Sequence, residues 1–293
     1  MENVKLAYLL VAHKCPEQIN LFVSQLLEYG DCDIYIHVDK KSPNLMNEIV
    51  SKPNIHLFCE YDVRWGSFEI VKAAILLMKK AVESGNEYTH IYFGSGQDLL
   101  VKKGLYDYLN NHKSNIFLAI KGEVTNNNRV SSRYRIKWPK SLMIRNDWHL
   151  YRFIRIGMQL LCKFGIVVSP NTKSINNDIR FYEGRTWFIA PFEVAKYIVS
   201  FIDSNADFVE YWEDSLASDL MFFQTIIMNS PYKDYVKDEL MYVKFGRTFG
   251  TMNHPIDITI EDDETIEKGN YYCARKFEYS DIRTINYYIE KTL

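Results

Sequence analysis

Several things are missing from this sequence, and each absence excludes something. The apolar run at residues 6–12 is too short to span a bilayer, and no signal-peptide cleavage pattern follows it. It is read instead as a first buried strand. Cysteine is sparse: Cys15, Cys32, Cys59, Cys162 and Cys273 are scattered, odd in number and form no C-x-x-C, which argues against a disulfide framework and for a reducing compartment. The formal net charge of −2 excludes the broad basic footprint of a nucleic-acid binder. There is no internal repeat and no low-complexity linker. The 293 residues are therefore expected to form one domain, with a nucleotide-binding half over 1–120 and a second half over 121–293. With neither signal nor anchor, the chain is expected in the cytoplasm, at most peripheral at the inner face of the cytoplasmic membrane.

The absence with most chemical consequence lies in "CDIYIHVDKKS", residues 32–42. An apolar strand ends on Asp39, and an Asp-x-Asp metal site would place a second carboxylate two residues later. Lysine stands there instead. A nucleoside diphosphate bound at this strand end would need another source of positive charge.

What is present is enough apolar residue for a sizeable core, 47% of the chain, arranged in alternating strand and helix signals. Strands are predicted over 5–12, 33–38, 56–59, 90–93 and 115–120, with helices over 16–29 and 67–82 between them. That order predicts an α/β fold with a mostly parallel sheet. Ligands of such sheets sit at the carboxyl ends of the strands. Those ends carry His13, Asp39, Arg64-Trp65-Gly66 and Ser95-Gly96-Gln97-Asp98, a polar set that is either a site or ordinary loop chemistry. Further on, 185–190 reads as a strand and 191–201 as a helix. "SLASDLMFFQTIIMN" reads as a helix that starts with Ser218 and Asp219. "ITIEDDETIEKGN" reads as a helix capped by Thr259 and Asp262 and stopped by Gly269, not as a metal site.

One segment departs from the neutral average. Residues 129–165 hold nine of the 35 Lys and Arg but one acid, Asp147. Ile154, Ile156, Met158, Leu160, Leu161 and Phe164 are interleaved with these charges. Two readings stay open: contact with an anionic partner such as a membrane surface or a pyrophosphate-linked lipid, or a solvated insertion packed by its apolar side.

Seven stretches, in order along nearly the whole chain, resemble one family. They are "AYLLVAHK", "IYIHVDKKS", "VRWGSFEIVKA", "YTHIYFGSGQDLLVKK", "EGRTWFIAPFEVAKYIV", "SDLMFFQTII" and "CARKFEYSD". Each is weak alone, but together they resemble the core-2/I-branching enzymes (glycosyltransferase family 14, which includes peptide xylosyltransferases), in a bacterial-type form. The resemblance implies a GT-A-like, Rossmann-type nucleotide-sugar-binding sheet lacking a DXD motif. It also implies an inverting transfer from a UDP-sugar donor, by family default UDP-GlcNAc, to a saccharide acceptor, with no divalent metal or other cofactor. The basic segment adds a lipid-linked acceptor, as in surface polysaccharide assembly, as a candidate.

The resemblance also places residues. Lys276 falls at the family's phosphate-binding lysine, with Arg275 beside it; a fixed cation there would stabilise the leaving diphosphate. Arg275 has the alternative of a surface ion pair with Glu278. Where a second family arginine is expected, Asn253 and His254 stand, and Arg247 is the replacement candidate. Val11, His13 and Asp39 would hold the uridine, a carboxylate accepting from ribose or uracil. Arg64, Trp65 and Ser95–Asp98 would flank the donor. Glu123, Arg133, Arg185 and Trp187 are the acceptor-side candidates, Trp187 having a core role as its alternative and Arg185 replacing a family serine.

The base is where the pattern breaks. Inversion needs a carboxylate near the acceptor hydroxyl, and the family glutamate falls on Leu220. Three readings remain: Asp219 serves; Glu213 or Asp214 serves; or the chain uses an unusual donor (galactofuranose, galactose or xylose) or only binds saccharide or nucleotide. Donor sugar, acceptor, linkage and oligomeric state are not written in these motifs.

Overall fold

Residues 6–12 are almost wholly buried because strands hydrogen-bond along both of their edges and helices cover both faces; such strands read as continuous apolar runs, not as alternation. The computed structural model describes residues 4–143, 148–248 and 251–293. The first half runs β1 (Leu6–Ala12), α1 (Pro16–Tyr29), β2 (Cys32–Val38), β3 (Ile55–Phe58), α2 (Glu69–Glu83), β4 (His90–Ser95), the short β5 (Asp98–Leu100), α3 (Leu105–Asn111) and β6 (Ile116–Glu123). The middle holds α4 (Ser132–Arg135), α5 (Leu150–Lys163), β7 (Tyr182–Pro191), α6 (Phe192–Ser204), α7 (Ala206–Trp212) and α8 (Phe222–Met228). Then follow β8 (Val236–Lys237), β9 (Met241–Val243), the hairpin β10 (Phe245–Thr248) and β11 (Thr251–Pro255), α9 (Asp263–Lys268), β12 (Cys273–Arg275) and α10 (Ile282–Thr292).

Seven strands form the main sheet in the order β3-β2-β1-β4-β7-β6-β8. Successive side chains of a strand point to opposite faces. Leu6, Tyr8 and Leu10 therefore pack with α1 and α10, while Ala7 and Leu9 pack with α2, α6 and α8. α1 begins with Pro at its first turn, where a missing N–H costs nothing, and buries Ile19, Phe22, Val23 and Leu26. Thr259 and Asp262 form the expected capping box, and the chain leaves α9 at Gly269.

Two sequence expectations are corrected, and one open reading is narrowed. The predicted fifth strand does not extend the parallel run: β7 is inserted between β4 and β6, antiparallel to both. This placement requires Gly184, because a Cβ there would lie 2.0 Å from the Ala119 carbonyl oxygen of β6. The helix expected to start at Ser218 and Asp219 begins later, at Phe222, after a single 3-10 turn. Ala217 adopts a left-handed conformation (φ 51°) and its N–H bonds the Gly66 carbonyl, so the chain turns sharply there and the two polar residues are not caps. The basic segment packs through part of its apolar side: Ile136, Trp138, Leu142 and Cys162 build a small core with Leu216, Met158 rests against it and Arg155 also turns inward, while the larger apolar residues of α5 stay exposed. Arg145 and Asp147 of that segment lie outside the described residues.

β5, β12 and β9 form a separate small sheet beside the main one. All five cysteines are free thiols. Among the described residues no helix is long and apolar enough to cross a membrane.

Candidate active site

β1, β2 and β4 run parallel and end together, so their last residues share one rim: Val11 lies opposite Ser95, and the Gly96 N–H bonds the Val11 carbonyl (3.0 Å). Gly96 is required there, since a Cβ would press on Ile19 at 2.7 Å. Asp39 follows β2 and is buried. Its Oδ1 accepts from the backbone N–H groups of Lys41 (3.0 Å) and Val63 (3.3 Å), which ties the turn to the loop after β3. Its Oδ2 meets the Lys41 ammonium at 3.3 Å. The lysine that replaces a second carboxylate therefore pairs with the first. Buried His37 supports the same loop, its Nε2 accepting from the Glu60 and Tyr61 N–H groups. His13 stands at the rim, open to solvent but walled by protein. That surrounding mass, together with Lys14, Lys41 and Arg275, holds its pKa below the usual range.

β12 pairs antiparallel with β5, which sets Arg275 directly opposite Asp98. Asp98 is completely buried. It accepts from the Ser95 N–H and hydroxyl (2.8 Å each) and from Tyr92 (3.1 Å), and lies 3.7 Å from the Arg275 Nε. Burial raises its pKa, with Arg275 opposing. The Arg275 guanidinium lies over the Trp187 ring at 4.2 Å, with only 11% of its side chain exposed. Arg275 is thus not the surface partner of Glu278. Trp187 is half-buried between the two cores, so it is core on one side and a platform for Arg275 on the other.

Glu278 is instead held by three other donors: Lys14 at 2.9 Å, Gln97 Nε2 at 2.7 Å and Lys276 at 3.1 Å. Lys276 also contacts Asp257 at 2.8 Å. Four side chains from β1's end, the β4–β5 turn and the stretch after β12 thus meet at one point. Lys14 was missed by motif reading, and its only signal was its place beside His13 at a strand end.

Asp219 lies in the loop before α8, and three backbone bonds fix that loop: Trp138 N–H to the Asp214 carbonyl, Leu216 N–H to the Arg133 carbonyl, and Ala217 N–H to the Gly66 carbonyl (2.7–2.9 Å). The Thr186 hydroxyl of β7 donates to Asp219 Oδ2 at 2.7 Å. Burial raises the Asp219 pKa, and the Thr186 hydrogen bond and the charges of Arg133 and Arg275 oppose the rise. Arg133 bonds Glu183 of β7 at 3.0 Å. Leu220 turns its side chain toward the core beneath α2 and α8.

The structure therefore brings Asp219, Arg133, Trp187, Arg275 and Asp98 into one neighbourhood, with Ser95, Gln97 and Lys276 adjoining through β5 and β12. It does not bring Glu213 there. That residue ends α7 on the surface, bound by Lys72 (3.2 Å) and Lys173 (3.0 Å), and these partners hold its pKa low against a modest burial penalty. Asp214 faces Lys137 (3.7 Å). Glu123 is exposed at the end of β6, 3.7 Å from Arg180. Arg64 pairs with Asp62, and Trp65 carries Arg155 of α5 over its ring at 4.8 Å. Arg247 lies in β10, but its side chain is outside the described residues. Arg185 ion-pairs with Glu239 and lies over Phe245. Burial pushes Glu239 up to about 7 despite Arg185. Nothing in the sequence marked Glu239, because its partner is 54 residues away.

A mixed α/β sheet flanked by helices, with charged residues gathered at the ends of its parallel strands, is the GT-A-like architecture of nucleotide-sugar transferases. Against family models, the chain matches one described as Core-2/I-Branching enzyme over residues 6–267. It belongs to that family and is a glycosyltransferase, which implies a nucleotide-sugar donor and a saccharide acceptor. The matched span ends before β12, so Lys276 lies beyond it. A search of curated proteins found no significant match.

Proposed function

We propose that this chain is an inverting, metal-independent glycosyltransferase. It moves a sugar, by family default GlcNAc from UDP-GlcNAc, to a saccharide acceptor that is lipid-linked, in surface polysaccharide assembly at the inner face of the cytoplasmic membrane. One observation carries the reading: Asp219 is held by Thr186 with its pKa raised, beside the strand ends where a donor would sit.

In the proposed step, the acceptor hydroxyl attacks the anomeric carbon from the side opposite the diphosphate. Asp219 takes the hydroxyl proton, so a carboxylate with raised pKa is the better-matched base. The anomeric C–O bond breaks and its electron pair leaves on the β-phosphate. Lys276 and Lys14 neutralise that charge, displacing the carboxylate of Glu278 that they now share, while Lys41 on Asp39 supports a donor site without a bridging metal. Trp187, braced by Arg275, Arg133 and Glu123 serve the acceptor. Asp39, Val11 and His13 serve the uridine. The free cysteines suit a reducing compartment.

Leu220 at the family's glutamate position favours a second reading, a saccharide- or nucleotide-binding protein without turnover. The half-buried Arg185–Glu239 pair leaves a different donor, such as UDP-galactofuranose, UDP-galactose or UDP-xylose, as a variant of the first.

The test is thermal stabilisation by UDP and a panel of UDP-sugars in EDTA, on the wild type and Lys276→Ala, followed by transfer assays with any donor that binds. Only a ligand of the folded state raises the melting temperature. A shift in EDTA that Lys276→Ala abolishes, with turnover, supports the first reading. A shift without turnover supports the second, and a shift that requires added metal overturns metal independence.

A further inference from the structure

Helix α5 turns most of its large apolar side chains away from the core. A surface helix normally turns its apolar stripe to the core and its charges to water. Here Arg155, Met158 and Cys162 face inward, and the Arg155 guanidinium is buried, bonded to the Leu142 carbonyl at 3.1 Å and stacked on Trp65. The outward residues are Leu150, Phe153, Ile154, Leu160, Leu161 and Phe164. At helical spacing these fall within an arc of roughly 120°. Leu150, Phe153 and Phe164 are 68%, 55% and 77% exposed. The stripe continues past the helix through exposed Ile166 and Val168. Single exposed apolar residues need no explanation, but a contiguous band of large ones marks a contact surface.

Charge identifies the partner. Exposed Lys163 lies beyond one edge of the stripe, and exposed Arg129 joins that side by bonding Gln159 of α5 at 2.7 Å. Residues 129–165 hold nine Lys and Arg against a single acid, Asp147. An apolar band beside a basic row is the pattern of a helix lying in the headgroup region of an anionic bilayer, where apolar side chains enter the acyl boundary and cations meet lipid phosphates. We propose that the outward face of α5 seats this protein on an anionic membrane surface. The helix also bears on the site: its inner face shares a core with Leu216, three residues before Asp219, and its Arg155 lies over Trp65. Seating α5 holds the Asp219 loop, which packs behind the helix through Leu216, close to the bilayer, where a lipid-linked saccharide would be presented. This deepens the lipid-linked acceptor reading above, although the docking surface itself can be tested without any acceptor.

The experiment is vesicle flotation of the full chain with phosphatidylcholine alone and with phosphatidylcholine mixed with phosphatidylglycerol, at low and high salt. The expected result is binding to the anionic vesicles, weakened by salt. It should fall at least about tenfold in the triple variant Phe153→Gln, Leu161→Gln, Phe164→Gln, and fall toward the neutral-vesicle level in Arg129→Glu, Lys163→Glu. All five positions lie at the surface, and unchanged melting temperature and unchanged UDP-induced shift confirm folding and an intact donor site. Wild type that ignores both vesicles, or a triple variant that binds as well as wild type, overturns the proposal. A lipid-free dimer that the triple variant converts to monomer also overturns it, by making a second copy the occupant. Failure of the UDP shift with vesicle binding intact would count against the transferase reading, not this one.

Discussion

Asp219 draws its proposed role from three residues that are distant in sequence. Thr186 orients one carboxylate oxygen, and the loop pinned at Gly66 and Arg133 holds the half-buried group in place. Asp219→Asn is expected to lower kcat by about 10²–10⁴ with donor binding retained, the usual scale for losing a general base; Glu213→Gln, by contrast, should leave kcat within about twofold. A turnover assay on both variants decides between these carboxylates. Because the pKa of Asp219 is raised, the rate should fall as pH drops through a value above the ordinary carboxylate range. Thr186→Val, which removes a bond favouring the charged form, should move that acid limb upward. Glu239 carries a stability signature of its own. Its folded pKa, about 7, lies above the unfolded value, so the native state binds its proton more tightly. Stability from this group is then fullest below the unfolded pKa and is lost as pH rises to about 7. Melting curves across that range should show a wild-type decline that Glu239→Gln reduces; equal slopes would show that Glu239 titrates normally.

At the scale of elements, β7 holds the site together, since it carries Glu183, Arg185, Thr186 and Trp187 between β4 and β6. Its antiparallel entry depends on close backbone approach at Gly184. Gly184→Ala should cost about 3 kcal/mol in urea unfolding, because the clash is with a backbone oxygen on a paired strand and not with a side chain that can turn away. A loss below about 0.5 kcal/mol would mean that the strands part easily there. The loop before α8 illustrates why local signals mislead. Ser218 and Asp219 have the residue types of a helix start, but the left-handed Ala217 and its bond to Gly66 set the chain's direction. α5 was equally ambiguous: periodicity reveals an apolar stripe but not which way it faces.

For the whole molecule, β1, β2 and β4 serve both cores at once, so the cores cannot unfold separately without breaking the shared strands. Leu9 and Leu10 are neighbours that face opposite cores. Leu9→Ala and Leu10→Ala should each lower one common cooperative transition by about 3 kcal/mol. Two resolved transitions in calorimetry would divide the chain at the sheet.

By itself, the sequence determined the α/β class, the parallel strands with His13, Asp39 and Ser95 at their ends, the capping of α9 and the family, because these depend on periodicity and on motifs a few residues long. Only the tertiary structure decided that Arg275 turns inward to Asp98 and Trp187, that Lys14, Gln97 and Lys276 converge on Glu278, that Thr186 meets Asp219 while Glu213 does not reach it, and that α5 shows its apolar face to solvent. Most of these rest on contacts between chain segments far apart in sequence, and all are set by strand order, register and helix rotation. Those depend on the packing of the whole chain, which no short stretch encodes.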